Sequence, residues 1–394
     1  MTDVHRSLRE RLAAPGLSGI PEIKRRSPSA GDLRPRADAA LLAAAFEAAG
    51  AGAISVLVDA RFGGSIADLQ SARRSTGLPL LAKGFFRTEE ELLELREAGA
   101  DAVLLILRDL DDRAAARLMR RTGELGMEAL VEVHQPSELD RAVALGADII
   151  GVNARDLRTF RIDRDAQLEL VSKAPRDRIV VAESGIETRV QAAAAELAGA
   201  DAVLVGAALM RAPHPAATFR DLLARPLVKV CGLTNEEDVA ASAEAGADLA
   251  GFVLANGPRR VARPLPVPSS MLSVAIFVGL AEPVDCDLIQ LYADEHGHRG
   301  RNAVLYRAGR RVAKVMDLPW HGADAGHWSR AARAARRERL VLAGHLGPDN
   351  VRSAVTTVGP WCVDAARGLE AEEGVKDRAK VHAFVKAARE TIPG

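Results

Sequence analysis

The stretch Gly146-Ala147-Asp148-Ile149-Ile150-Gly151-Val152-Asn153-Ala154-Arg155 holds, in ten residues, the repeating unit from which the fold can be read. Glycine stops a helix, a short run apolar on both faces reads as a buried strand, and polar side chains follow at the strand's C-terminal end. The Gly-Ala-Asp stop signal recurs at Gly99, Gly199 and Gly246. Working outward, the pattern predicts strands at Gly19 to Lys24, Ala53 to Val58, Leu78 to Lys83, Ala102 to Ile106, Glu128 to Val133, Ala147 to Val152, Ile179 to Ala182 and Ala202 to Val205. Stretches rich in Ala, Leu, Glu and Arg with helical spacing lie between them. Such strands, separated by helices, form a parallel sheet, and eight βα units close into a barrel.

The pattern restarts after Arg225-Pro226 at Leu227-Val228-Lys229-Val230-Cys231-Gly232. Further strands are expected at Leu249 to Leu254, Ser273 to Val278, Leu288 to Leu291, Ala303 to Tyr306, Val312 to Met316, Leu340 to Ala343 and Trp361 to Val363. This half is short for eight units and irregular from Pro264 to Arg311, so helices of only a turn or two are expected there. The expected class is α/β, with two fused (β/α)8 TIM barrels, the second shortened, over residues 1–224 and 227–394. A chain of 394 residues exceeds the size at which one core keeps growing, which favours two domains.

Lys plus Arg balance Asp plus Glu at 53 each, so no net field favours nucleic acid or an anionic membrane surface, and anion binding must be local. No stretch is apolar for the length of a bilayer span, and a cytoplasmic protein is expected. Cys231, Cys286 and Cys362 are odd in number and widely spaced, which indicates neither a disulfide framework nor a zinc site.

In the first half, polar residues collect where strands end: Glu22 and Lys24, Lys83, Glu132, Asn153 and Arg155, and Glu183-Ser184-Gly185. Each alone reads as a solvated strand end, but a barrel brings them all to one mouth. Lysines and glutamates sharing a partly desolvated pocket shift one another's pKa values and can supply an acid and a base near neutrality. Glu183-Ser184-Gly185 after strand seven and Gly206-Ala207 after strand eight lie where barrels hold phosphate, so a phosphorylated substrate is expected.

Glu22-Ile23-Lys24-Arg25-Arg26-Ser27-Pro28-Ser29, Leu130-Val131-Glu132-Val133-His134, Gly151-Val152-Asn153-Ala154-Arg155-Asp156-Leu157 and Glu183-Ser184-Gly185-Ile186 resemble indole-3-glycerol-phosphate synthase. The resemblance implies decarboxylative ring closure of carboxyphenylamino-deoxyribulose 5-phosphate, then loss of water, with no metal or organic cofactor. It makes Lys83 the general acid and Lys24 the partner of the substrate carboxylate. Glu132 serves the proton transfers of dehydration, and Glu22, Asn153, Arg155 and Glu183 position substrate and lysines. It further assigns Ser27, Ser184, Gly185 and Gly206 to substrate and phosphate, and Phe85, Leu157 and Ile186 to the aromatic ring. The chain departs from that family at Gly84, where an Asp beside the catalytic lysine is usual, at Ala207, where a small hydroxyl residue is usual, and in its short segment before strand one. Looser positioning of Lys83 is the expected consequence.

In the second half, Lys229-Val230-Cys231-Gly232-Leu233-Thr234, Asn256-Gly257-Pro258-Arg259, Val315-Met316-Asp317 and Ala343-Gly344-His345-Leu346-Gly347 resemble phosphoribosylanthranilate isomerase. That resemblance implies an Amadori rearrangement with Asp317 as acid and Cys231 as base, Arg259 pairing the anthranilate carboxylate, and the loops at Gly344 and Gly368 gripping phosphate. Gln290, His345, Asp364 and Arg367 complete its substrate-binding set, with Arg367 as a replacement charge. Departures are His345 in a phosphate turn that is usually Gly-Gly-Leu, Tyr292 where the family reads Gln-Leu-His-Gly, and His321-Gly322-Ala323-Asp324 after the acid. The leading expectation is a bifunctional enzyme of tryptophan biosynthesis whose partners are small phosphorylated substrates and other enzymes of that pathway. The departures leave two alternatives: an active synthase with an impaired isomerase barrel, and a phosphosugar-binding pseudoenzyme.

Overall fold

The computed structural model describes residues 6–27, 31–156, 161–295, 298–318 and 326–390. Its contacts divide the chain into two compact units, Met1–Leu223 and Ala224–Gly394. The first is a closed barrel of eight parallel strands: β1 (Ser18–Ile23), β2 (Ile54–Leu57), β3 (Leu80–Lys83), β4 (Ala102–Ile106), β5 (Glu128–Val133), β6 (Ile149–Asn153), β7 (Ile179–Glu183) and β8 (Ala202–Val205).

The Gly-Ala-Asp signals have a double role in this architecture. Gly99, Gly146, Gly199 and Gly246 take φ values of 97, 78, 119 and 86°, the left-handed region that glycine enters without steric cost. At three of the four the aspartate two residues on then ties the next strand to its neighbour, whereas the Asp148 carboxylate accepts from the Arg178 guanidinium at 3.0 Å. The Asp101 carboxylate accepts from the Leu80 N–H at 2.9 Å, and the Asp201 carboxylate from the Val180 N–H at 2.8 Å. In the second unit, the Asp248 carboxylate does the same for the Val228 N–H at 2.8 Å. One tripeptide both ends a helix and sets the register of the sheet edge it enters.

The interior of the first barrel is filled by fully buried Ile20, Leu81, Leu130 and Val181, with Ile149, Leu104 and Leu204 close to it. Leu8 and Leu12, on the short N-terminal helix Leu8–Leu12, complete the same cluster from the strands' N-terminal side. Ser7 Oγ donates to Glu128 at 2.9 Å and the Arg9 N–H donates to it at 3.1 Å, at the start of β5. The segment before strand one therefore plugs the floor of the barrel, opposite the mouth.

The second unit also closes with eight strands: β9 (Leu227–Cys231), β10 (Leu249–Val253), β11 (Leu272–Val278), β12 (Leu288–Glu295), β13 (His298–Arg307), β14 (Arg310–Asp317), β15 (Leu340–Ala343) and β16 (Cys362–Ala365). It departs from the expected (β/α)8 pattern in one respect. β13 is antiparallel to both β12 and β14, while the other neighbouring pairs are parallel. Among the described residues no helix lies between Val253 and Asp317, where helices of a turn or two were expected. The β13–β14 connection is the two-residue turn Ala308-Gly309, with φ of 46 and 74°, the paired positive values that suit a tight hairpin to the twist of its strands. Three strands thus cross the wall as a meander. Their side chains alternate in burial: Leu288, Gln290 and Tyr292 lie inside, with Ile289 and Leu291 between them on the outer face.

Candidate active sites

The first mouth is a cavity of about 400 Å³ lined by apolar Leu57, Leu104, Ile106 and Leu204 below a ring of polar groups. The ring is made by strand ends, because strand registry places Leu57 beside Lys83, Ile106 beside Glu132 and Asn153 beside Glu183. Lys83 Nζ lies 2.5 Å from Glu183 Oε2 and 3.4 Å from Glu22 Oε2, and Lys24 Nζ lies 2.6 Å from Glu22 Oε1. Glu22, Glu132 and Glu183 are buried. The cluster thus pairs two ammonium groups with three carboxylates.

Burial and these charges together set the protonation pattern. Burial alone would raise Glu22, but Lys24 and Lys83 outweigh it and hold its carboxyl at about 2. Burial pushes Glu183 up to about 7, with Glu132 and Glu22 adding to the effect and Lys83 opposing it. Burial would lower Lys83, yet Glu183, Glu22 and Glu132 carry it above its ordinary value, so it is an ammonium in the resting pocket. A carboxyl raised by burial thus stands against a lysine that its carboxylate neighbours raise, the kind of coupled pair that acid–base sites use.

Two glycines make the packing of this cluster possible. A Cβ at Gly206 would run into Glu22 Oε1 and Lys24, and one at Gly151 would run into Glu183 Oε1. Gly84 lines the cavity where the family usually has a carboxylate, and Lys83 lies between Glu22 and Glu183. Ser27, Phe85, Asn153, Arg155, Ser184, Gly185, Ile186 and Gly206 all line the same cavity, and Leu157 lies outside the described residues. Asn153 Oδ1 accepts from the Arg155 N–H at 2.9 Å, which fixes the β6 exit. Phe85 stacks on Phe62 with ring centroids 6.3 Å apart, and the Arg61 guanidinium lies 4.2 Å from the Phe85 centroid. One participant was quoted in the sequence without a role. His134 Nε2 is 3.3 Å from Glu132 and its Nδ1 is 3.4 Å from Glu138, whose carboxylate also accepts from the His134 N–H at 2.7 Å.

The second mouth, about 390 Å³, gathers Cys231, Arg259, Gln290, Asp317, Gly344, His345, Asp364, Arg367 and Gly368. At its base Lys229, fully buried, has its Nζ 2.9 Å from Asp364 Oδ2 and donates to Gln290 Oε1 at 2.7 Å. Burial holds the Cys231 thiol above its ordinary value, with Lys229 opposing it only in part. Burial likewise raises the Asp317 carboxyl against the pull of Arg299. Gln290 Nε2 donates to the Tyr292 hydroxyl at 2.9 Å and that hydroxyl donates to Asp317 Oδ2 at 3.0 Å, so Tyr292 links the two across the pocket.

Arg259 stands at this rim, but its guanidinium is already engaged: Nε and Nη2 donate to the two Glu370 oxygens at 2.6 Å each, and Lys376 Nζ reaches the same carboxylate at 3.0 Å. Arg299, which the sequence reading did not single out, lies in the pocket with Nη1 2.9 Å from Asp317 Oδ2. Lys229 carried a usable signal, a charge inside an apolar strand. Arg299 and Glu370 carried none, since their importance depends on contacts across the barrel.

The two mouths share a backbone device. After β7, Ser184 and Gly185 take φ of 67 and 68°, and after β15, Gly344 and His345 take φ of 87 and 55°. Both seventh strands leave through two successive left-handed residues, and each turn contains one non-glycine held there, a conformation that strand-end sites tolerate at some cost.

Comparison with known proteins follows the same division. Residues 2–222 match the family model described as indole-3-glycerol phosphate synthase, and residues 325–387 match that of N-(5'phosphoribosyl)anthranilate (PRA) isomerase. The indole-3-glycerol phosphate synthase of Micrococcus luteus is 46% identical over 227 residues, covering 57% of this chain and 85% of that protein. Indole-3-glycerol phosphate synthase 2 of Streptomyces coelicolor is 48% identical over 213 residues, covering 54% and 83%. A phosphoribosyl anthranilate isomerase from Thermotoga maritima is 28% identical, over 42% of this chain and 100% of that one, with a TM-score of 0.34. Among the described residues no helix is long and apolar enough to cross a membrane. With more than half its length matched, the chain belongs to the indole-3-glycerol phosphate synthase family, and joins that barrel to a phosphoribosylanthranilate isomerase domain as a bifunctional enzyme of tryptophan biosynthesis.

Proposed function

We propose that the first mouth closes the indole ring of carboxyphenylamino-deoxyribulose 5-phosphate through Lys83. The ammonium of Lys83 donates its proton to the substrate's carbonyl oxygen as the aromatic carbon bearing the carboxylate attacks the carbonyl carbon. The new carbon–carbon bond forms, the carboxylate leaves as carbon dioxide, and loss of the hydroxyl as water completes the ring. Lys24 receives the carboxylate before it leaves, and Glu132, backed by His134, moves the protons of dehydration. Glu22, Glu183, Asn153 and Arg155 hold the lysines and the sugar hydroxyls in place. Ser27, Ser184, Gly185 and Gly206 take the phosphate, and Phe85 and Ile186 cover the aromatic ring. The observation that carries this reading is Lys83 held 2.5 Å from Glu183 and 3.4 Å from Glu22 in a cavity with an apolar floor.

In the second mouth, Asp317 protonates the ring oxygen of phosphoribosylanthranilate as the sugar opens, and Cys231 removes the proton from the adjacent carbon. Lys229, buried beside Cys231, offsets part of the burial that raises its thiol. Gln290, Asp364, His345 and the loops at Gly344 and Gly368, with Arg367, bind substrate and phosphate. The product of this barrel is the substrate of the first, so both steps run on one chain in the cytoplasm. Supplying each substrate separately and following its fluorescence tests both halves. Turnover of both is expected, and binding without turnover in either mouth would replace that half with a binding module.

A further inference from the structure

We propose that Tyr292, which stands where the family reads histidine, is a positioning residue that fixes which oxygen of Asp317 carries the proton given to substrate. The proposal deepens the isomerase reading and rests on it. Gln290 and Tyr292 lie two residues apart on β12, and the alternation of that strand turns both side chains inward. With Lys229 below them they form a chain of hydrogen bonds that ends on Asp317.

The direction of this chain is set at its lysine end. An ammonium can only donate, so Gln290 must turn its oxygen to Lys229, 2.7 Å away, and its amide nitrogen therefore faces Tyr292. The nitrogen donates to the hydroxyl at 2.9 Å. Having accepted there, the hydroxyl spends its own proton on Asp317 Oδ2 at 3.0 Å. Lys229 cannot swing away from this arrangement without leaving Asp364, 2.9 Å from its Nζ, and Lys229, Gln290 and Tyr292 are all buried.

Asp317 Oδ2 has a second donor, Arg299 Nη1 at 2.9 Å. The Arg299 guanidinium in turn rests 4.5 Å from the centroid of the Tyr292 ring, so one side chain helps to place both donors. An oxygen that accepts from two groups is not the one that holds a transferable proton, which leaves Oδ1 to carry it. Burial raises the Asp317 carboxyl and so favours the loaded acid, whereas the two donors favour the anion that proton transfer leaves behind. Their bonds strengthen as that charge develops and require no rearrangement when it does.

The test is the isomerase kinetics of the full chain, followed by loss of phosphoribosylanthranilate fluorescence. Tyr292→Phe keeps the ring beside Arg299 and removes the hydroxyl alone. Its kcat should fall by about tenfold to a hundredfold, the worth of one hydrogen bond to a charged group, with KM within about twofold of the wild type. Tyr292→His, which restores a ring N–H, should recover part of the lost kcat. A Phe variant with undiminished kcat, a loss confined to KM, or a His variant no faster than Phe would overturn the assignment while leaving the isomerase reading intact. A wild type that does not turn over phosphoribosylanthranilate would remove both together.

Discussion

The first barrel and the second reach the same closed ring of eight strands by different means, and the contrast separates what a barrel needs from what its site needs. In the first, every strand is parallel. In the second, a meander spans β12 to β14 with no intervening helix among the described residues, yet closure survives, because each strand edge still finds a hydrogen-bonding partner. The sites respond unequally. Strand ends that keep their direction bring polar groups to their mouths: Lys83, Glu132 and Glu183 in the first barrel, Cys231, Asp317 and Asp364 in the second. Where direction reverses, the mouth acquires a new cation, Arg299.

The sharpest way to break the comparison is to silence one mouth at a time. Lys83→Met should lower ring closure by about 10³-fold or more, the range expected when a positioned proton donor is lost, with isomerase turnover unchanged. Cys231→Ala should do the reverse by about 10²–10⁴-fold. Indole-glycerol phosphate absorbance reports the first and loss of phosphoribosylanthranilate fluorescence the second. Loss of both activities in either folded variant would mean that the mouths are not separate centres.

A second measurement sharpens the electrostatic contrast. Glu22 has its pKa lowered from 4.5 to about 2 in the folded chain, so its contribution to stability is complete above pH 4.5 and is lost as pH falls through 2. Glu22→Gln should therefore lower unfolding free energy by about 3 kcal/mol at neutral pH, and the gap to wild type should shrink as the medium is acidified. A gap that stays constant with pH would assign the loss to packing.

The smallest effect lies in the meander. Ala308 occupies a left-handed position that Asn tolerates better, and Ala308→Asn would give the Asn-Gly pair preferred in this hairpin. A rise of about 1 kcal/mol in the stability of the second barrel is expected in denaturant titration. A fall would argue against the tight-turn geometry.

The parts of this molecule legible in its sequence are those written locally. Gly-Ala-Asp marked helix ends because only glycine enters the left-handed region freely there, and polar residues at the ends of apolar runs marked both mouths. Strand direction was not local information. The apolar runs at 303–306 and 312–316 are strand-like whichever way they point, and Ala308-Gly309 lacks the Asn that would have announced a hairpin. The pairing of Arg259 with Glu370, 111 residues apart, exists only once the barrel has closed. For the same reason, Arg259 reads from its motif as an open anion receptor, while in the fold it lines the mouth with its guanidinium also paired to Glu370.

The reversal of β13 has a practical corollary for anyone wishing to modify this protein. It sends the Ala308-Gly309 corner to the underside of its barrel, at the far end of β14 from Asp317, and brings Arg299 to the rim. The lower corner is thus a natural graft point for an inserted peptide, a reporter or a new chain terminus, set away from the entrance through which substrate passes.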